Sequence, residues 1–152
     1  MRITRFSDFG LRVLIYLVPA RESQPPVTVA EIASQFNIPV NHLVKVVGHL
    51  ARAGWVQTTR GRAGGLRLNI DPRSLKIGDV LRELEGDTEL INCDAQDCAL
   101  RLNCGLREAL RVGMHAFYDA MNAYTLADVI AGGTGDKIVR MHHRIAAAQS
   151  LQ

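Results

Sequence analysis

A glycine-rich stretch at residues 61–65 (GRAGG) separates two short runs of strand-forming residues in a sequence otherwise patterned for helices. Residues 55–60 (WVQTTR) precede it and residues 66–69 (LRLN) follow it. Because glycine tolerates the positive φ values of a tight turn, this pattern predicts a β-hairpin. Aromatic residues make up only 5% of the chain, so the core must consist mainly of aliphatic side chains, which suits helices.

Three segments with apolar residues at helical spacing precede the hairpin. The first covers about residues 7–18. A short second helix opens at Thr28, which with Glu31 fits a capping box. The third covers about residues 40–53 and stops at Gly54. Three helices followed by a two-stranded wing is the order of a winged helix-turn-helix, which is typical of DNA-binding proteins.

One face of the third helix and the wing carry side chains suited to DNA. A helix about 10 Å wide fits the major groove, and wing arginines reach phosphates or a minor groove. Residues 1–67 hold nine basic and three acidic residues, and this net charge of +6 favours a polyanionic partner. A solvated face or a protein-binding winged helix is the alternative. The predicted DNA-binding residues are Asn41, His42, Lys45, His49 and Arg52 on the helix and Arg60, Arg62 and Arg67 on the wing.

The predicted fold is mainly α with a small β-wing, in which a winged helix-turn-helix DNA-binding domain (residues 1–75) is joined to a long dimerisation helix. Residues 76–104 connect the two, as an amphipathic helix followed by the non-periodic cysteine segment, residues 86–104. Residues 105–131 are predicted as dimerisation helices, a long helix over 105–124 that continues helically through 131, because one wing domain cannot cover so long an apolar stripe. A glycine-rich break then predicts a flexible tail over residues 132–152.

Three cysteines, Cys93, Cys98 and Cys104, lie within twelve residues of the cysteine segment. A loop lets three side chains converge, and soft thiolate ligands match iron, so this pattern favours an iron–sulfur cluster. The spacing departs from the CxxC pairs of common zinc sites. Structural zinc with a fourth ligand and three unrelated free cysteines are the alternatives. An odd cysteine count without an export signal argues against a disulfide framework.

Two other functional classes are disfavoured by the sequence. No apolar run comes close to the roughly 18 to 20 residues that span a bilayer, and charged residues interrupt the N-terminus, so we expect a cytoplasmic protein. No GxGxxG, P-loop or Ser/His/Asp set is found. A binding protein is therefore favoured over an electron-transfer or redox enzyme.

Four motifs, in order, resemble the NsrR-type nitric-oxide-responsive repressors, which belong to a wider family of winged-helix regulators that includes IscR. They are ITRFSDFGLR at residues 3–12, RGRAGGL at 60–66, IGDVLRELE at 77–85 and the cysteine trio. YTLAD at residues 124–128 is also similar, and the resemblance covers residues 1–131. The first cysteine interval, of four residues, resembles the NsrR type more than the IscR type, whose interval is longer.

This resemblance implies a homodimer in which the long helix crosses its partner and each wing meets half of a near-palindromic operator in double-stranded DNA. It also implies a 4Fe–4S cluster on the three cysteines, whose reaction with nitric oxide releases the DNA. The protein would thus be a repressor and not an enzyme. An IscR-like 2Fe–2S regulator of iron–sulfur assembly genes and a zinc-stabilised interaction module are the alternatives.

The resemblance further implies a fourth cluster ligand, Asp8, contributed from the partner subunit. A carboxylate is a harder and weaker ligand for iron than a thiolate, which suits a displaceable position in a sensor. An i,i+4 ion pair with Arg12 is the competing role for Asp8, and the two roles can alternate. His115 on the long helix, and His142 and His143 in the tail, are less favoured ligands.

Overall fold

A computed structural model describes residues 2–20, 25–61, 64–86, 90–91, 98–100 and 102–149. Over these residues the chain forms seven helices and one two-stranded antiparallel sheet. The elements are α1 (Arg5–Leu17), α2 (Val29–Phe36), α3 (Val40–Arg52), β1 (Val56–Thr59), β2 (Gly65–Leu68), α4 (Ile77–Glu85), α5 (Gly105–Met121), α6 (Leu126–Ile130) and α7 (Gly133–Gln149). No helix of this described part is long and apolar enough to cross a membrane.

Helices α1, α2 and α3 enclose an aliphatic core. Apolar side chains recur every three or four residues along each helix, so each helix turns one face inward. The apolar stripe that helical spacing predicts for α3 is buried in full, and it consists of Leu43, Val46, Val47 and Leu50. Since α3 packs against both α1 and α2, two helices fix its orientation and its opposite face is left to solvent.

Half of the capping box predicted at Thr28 is present. The Thr28 hydroxyl accepts a hydrogen bond from the Glu31 N–H at 3.1 Å. The Glu31 carboxylate accepts one from the Tyr16 hydroxyl at 2.7 Å, which ties α2 to α1. Burial, and then this hydrogen bond, raise the pKa of Tyr16 above its ordinary value, so the phenol remains a donor.

The hairpin confirms the predicted wing. Strand β1 pairs antiparallel with β2, with Val56 opposite Leu68 and Thr59 opposite Gly65. Gly61 adopts a φ of 102°, in the region that favours glycine, so the turn depends on it. A bridge between Val27 and β2 fastens the wing to the segment that precedes α2.

Helix α4 lies close against α5 at a position where the chain has no side chain. A Cβ on Gly78 would overlap the carbonyl oxygen of Tyr118 and the side chain of Asn122. Asn122 Oδ1 accepts a hydrogen bond from the Asp79 N–H at 2.9 Å, and Asn122 Nδ2 donates to the Asp79 carboxylate at 2.9 Å. A residue at the end of α5 therefore supplies the N-terminal cap of α4.

The region predicted as continuous helix through residue 131 is divided, which corrects the sequence-based expectation. Helix α5 ends at Met121 and α6 begins after Thr125. Thr125 Oγ1 accepts from the Asp128 N–H at 3.2 Å, and Asp128 accepts in return from the Thr125 N–H at 2.8 Å. The Thr125 hydroxyl, which donates to the Asp128 carboxylate at 2.7 Å, and then the Thr125 N–H hold the pKa of Asp128 below its usual range. A complete capping box starts a new helix here.

The prediction of a flexible tail over residues 132–152 is also wrong, because helix α7 covers Gly133–Gln149. Ile138 of this helix is buried in the common core. The His142 ring stacks on Tyr16 with centroids 4.2 Å apart, and His142 Nε2 lies 2.9 Å from the Tyr16 carbonyl oxygen. The glycines at the start of α7 weaken its local helix signal, and packing against α1 outweighs their cost of about 1 kcal/mol each.

Candidate DNA-binding surface and cysteine site

The outward face of α3 brings together most of the predicted base-contacting side chains. Asn41, His42, Lys45 and Arg52 are all exposed on it. Helix α3 contains no acidic residue. This face therefore presents hydrogen-bond donors and positive charge without a carboxylate of its own to repel phosphates.

His49 occupies a different place from the other predicted α3 residues. Its side chain is 28% exposed, and its Nε2 lies 2.9 Å from Oε1 of Glu83 in α4. Its ring and that of Phe6 in α1 form a T-shaped pair with centroids 5.5 Å apart. His49 thus lies where α1, α3 and α4 meet.

Two exposed valines on α3 were missed by the sequence reasoning. Val44 is 55% exposed and Val40 is also largely exposed, one turn apart on the solvent side. An apolar side chain on a groove-facing helix suits contact with the thymine methyl group. The sequence could have identified them, because helical spacing places both valines outside the buried apolar stripe of α3.

The predicted wing arginines differ in their surroundings. Arg60 is exposed just after β1, while Arg67 is partly buried within β2, opposite Gln57. Arg62 lies outside the described residues. Arg60 is therefore the described wing arginine best placed to reach a phosphate.

The cysteine segment is described only in part. Cys98 is exposed, Cys104 is half-buried at the N-terminal cap of α5, and both are free thiols. Cys93 lies outside the described residues. Within the described part of the chain, no group of three or more His, Cys, Asp or Glu side chains forms a metal site. Two accessible thiols outside the core nonetheless fit the soft donor set that iron–sulfur clusters require.

A cavity of about 230 Å³ lies between α4, α5 and residues 90–91 of the cysteine segment. Arg111 is paired with Glu108 at 2.6 Å, and this hydrogen bond holds the pKa of Glu108 below its usual range. The cavity lining beside the cysteine segment is thus basic, although Arg111 shares its charge with Glu108 and Arg82 lies 3.7 Å from the Asp119 carboxylate. The basic residues of its lining are Arg82, Arg107, Arg111 and His115.

Asp8 and Arg12 form the ion pair that the sequence predicted as the competing role. Arg12 Nε donates to the two Asp8 carboxylate oxygens at 2.9 and 3.0 Å. The Arg12 guanidinium also lies 5.6 Å from the centroid of the Phe36 ring. Both partners are partly exposed, and such a pair contributes only about 0.3–0.5 kcal/mol. The Asp8 carboxylate is thus held weakly enough to exchange partners.

Helix α5 and the residues before it expose large apolar side chains. Leu102 is 95% exposed and Leu106 is 61% exposed, while Val112 is also well exposed. Tyr118 is the buried residue of α5. Apolar surface of this extent on one helix typically marks an interaction site.

Comparison with known proteins gives consistent matches over nearly the whole chain. Residues 3–132 match the Rrf2 family, described as an iron-dependent transcriptional regulator. The chain is 37% identical over 145 residues to the HTH-type transcriptional repressor NsrR of Streptomyces coelicolor, covering 95% of this chain and 98% of that protein. It is 39% identical over 133 residues to the HTH-type transcriptional regulator NsrR of Bacillus licheniformis, covering 86% and 92%. The crystal structure of oxidised Staphylococcus aureus CymR matches with a TM-score of 0.65 at 26% identity, covering 87% of this chain and 98% of that one.

Proposed function

The chain belongs to the Rrf2 family of transcriptional regulators, and we propose that it is a homodimeric repressor that senses nitric oxide through an iron–sulfur cluster. Family membership confirms the predicted resemblance and the winged-helix fold. It also confirms the prediction that the chain is a DNA-binding regulator and not an enzyme. The observation that carries the sensing proposal is the pair of free thiols, Cys98 and Cys104, outside the packed core.

The DNA-binding role is assigned to α3 and the wing. An α-helix fits the major groove, and α3 offers exposed Asn41, His42, Lys45 and Arg52 to base edges and phosphates. Arg60 adds a charge-assisted contact to the backbone from the wing. The residues on α3 select the sequence, while the wing contributes affinity that depends on salt.

The dimer is supported by the exposed apolar side chains on α5 and just before it. In a monomer, water would cover Leu102, Leu106 and Val112. Removing apolar surface from water stabilises an assembly by about 25 cal/mol per Å². A second copy of the same helix covers such a face with itself, as two-fold symmetry requires. A dimer also presents two copies of α3 to the two halves of a near-palindromic operator.

The cluster is assigned to Cys93, Cys98 and Cys104, with Asp8 of the partner subunit as the fourth ligand. When bound, a 4Fe–4S cluster supplies iron that reacts with nitric oxide. Asp8 would hold the cluster in place of its pairing with Arg12, and it would pair with Arg12 in the cluster-free protein, because that ion pair is weak. Since Asp8 lies in the first turns of α1, this exchange acts on a helix that packs directly against α3.

Anaerobic titration of the cluster-loaded protein with nitric oxide tests the proposal. Cluster absorbance and operator binding, followed in one sample, should fall together at the same stoichiometry. Operator binding that persists after the cluster absorbance has gone would overturn nitric oxide sensing. A 2Fe–2S Mössbauer spectrum would favour the IscR-like alternative, and zinc in metal analysis would favour the interaction module.

Asp8→Ala is expected to leave a cluster that is bound but altered, with a changed visible spectrum and faster loss to nitric oxide. The reason is that one ligand is removed and three thiolates remain. Stopped-flow absorbance measures the rate. Arg12→Ala is the matched control, because it breaks the same ion pair while keeping the carboxylate. An unchanged spectrum and rate in Asp8→Ala would exclude Asp8 as a ligand.

Val44→Ala is expected to weaken operator binding by about fivefold and to leave random-sequence DNA binding unchanged, since two methyl groups and no charge are removed. Titration of both duplexes at several salt concentrations measures this. Arg60→Ala should instead weaken binding to both duplexes. It should also reduce the slope of log affinity against log salt concentration by about one. Equal weakening of both duplexes by Val44→Ala would contradict a base contact.

A further inference from the structure

We infer that the hydrogen bond between His49 and Glu83 positions α3 and transmits the state of the cysteine segment to it. His49 belongs to the last turn of α3 and Glu83 to the last turns of α4, and their Nε2 and Oε1 atoms lie 2.9 Å apart. His49 is thus a positioning residue for DNA reading. The transmission part of this inference rests on the proposed function, because it takes the cysteine segment as the sensor.

The surroundings of His49 restrict its freedom to turn toward DNA. Phe6 packs against the imidazole with the two ring planes 86° apart. Glu83 holds the ring nitrogen from the other helix, so one ring is engaged by both α1 and α4. His42, by contrast, is exposed at the start of α3 and stacks on Phe9 at 6.3 Å, and no hydrogen bond to its ring nitrogens is found among the described residues.

Helix α4 is placed to carry movement from the cysteine segment. Its N-terminal end is capped by Asn122 of α5, and its C-terminal residue Glu85 accepts a hydrogen bond from the Thr4 N–H at 2.7 Å. The cysteine segment follows directly after Glu85. Helix α4 packs chiefly on α1 and α5, so its connection to α3 depends on long side chains such as that of Glu83.

Charge and positioning predict opposite effects for the loss of Glu83. A carboxylate beside α3 repels DNA phosphates, so its removal by Coulomb's law alone strengthens binding. If the carboxylate holds His49, and through it α3, its removal weakens binding to the operator. The direction of the change therefore separates the two roles.

The test uses the cluster-loaded dimer and an operator duplex. Glu83→Ala and His49→Ala should each weaken operator binding by about two- to fivefold, the range of a partly exposed pair. Glu83→Gln should retain the wild-type affinity, because an amide offers both a donor and an acceptor to either imidazole tautomer. Asp136→Ala removes one exposed carboxylate from the first turn of α7 and serves as the charge control.

The double variant decides whether the two residues act together. If they do, His49→Ala with Glu83→Ala should bind no more weakly than either single variant. Additive losses would mean that His49 reads a base independently, and would overturn the positioning role. Stronger binding by Glu83→Ala, equal to that of Asp136→Ala, would overturn it as well. Thermal unfolding of every variant reports whether a loss arises from the fold instead.

Transmission is tested by the ratio of operator affinities with and without the cluster. Glu83→Ala should reduce that ratio, and Glu83→Gln should preserve it. An unchanged ratio in Glu83→Ala would overturn transmission. If the wild-type protein shows no difference between the two forms, the proposed function fails. The non-additivity of His49 and Glu83 is measured in either form, so it decides the positioning role separately.

Discussion

Gly78→Ala is expected to lower the free energy of unfolding by about 2–3 kcal/mol, the usual cost of overpacking a tight contact. The added methyl group would overlap the Tyr118 carbonyl oxygen and the Asn122 side chain, so α4 and α5 would have to separate. Helix propensity acts in the opposite direction, since alanine is favoured over glycine in a helix by about 0.5–1 kcal/mol. The overlap is the larger of the two effects, so the free energy of unfolding should fall.

Urea unfolding followed by circular dichroism, at one fixed protein concentration, measures this difference. Gly48→Ala in α3 is the matched control, because its Cβ would meet the Arg52 side chain at an ordinary 3.6 Å. That variant should gain about 0.5–1 kcal/mol from helix propensity alone. A wild-type unfolding midpoint for Gly78→Ala would show that α4 and α5 do not approach as closely as described.

Cys98→Ser is expected to abolish cluster binding and to reduce operator affinity to the nonspecific level, roughly a thousandfold weaker. Serine is nearly isosteric with cysteine, but its hydroxyl is a poor ligand for iron at neutral pH. Since Cys98 is exposed, this change should leave the unfolding free energy of the metal-free protein unaltered. The loss would therefore report ligation and not folding.

Under anaerobic conditions, iron analysis and visible absorbance measure cluster binding, and operator titration measures affinity. Urea unfolding of the metal-free protein measures the third consequence, the unchanged stability. Ala99→Ser is the matched control, since it adds a hydroxyl at the neighbouring exposed residue and retains all three thiols. It should keep both the cluster and the affinity. If Cys98→Ser retained its full iron content and absorbance, the assignment of the cysteine trio would be wrong.

The winged helix was predictable because its signals are local. The apolar stripe of α3, the glycine turn at Gly61 and the hydroxyl at Thr28 each act within a few residues of the chain. The start of α6 carried an equally local signal, the capping box of Thr125 and Asp128, which continuous helical periodicity obscured. That correction was thus available from the sequence.

Helix α7 was not predictable in this way. Gly133 and Gly135 lower its intrinsic helix propensity. Its stabilising contacts, among them His142 with Tyr16, join residues more than a hundred positions apart. Whether such a segment forms a helix depends on the surface available to it, which local periodicity does not describe.

The sequence by itself determined which residues are proposed to bind DNA and iron: donors on one face of α3, arginines on a wing, and three thiols in a non-periodic segment. Only the tertiary structure decided how several of them are used. It joined His49 of α3 to Glu83 of α4 and to Phe6 of α1, and it left Arg67 partly buried in β2 while Arg60 stayed exposed. The physical reason is that periodicity sets the face on which a side chain lies, whereas its partner depends on how helices distant in sequence pack together.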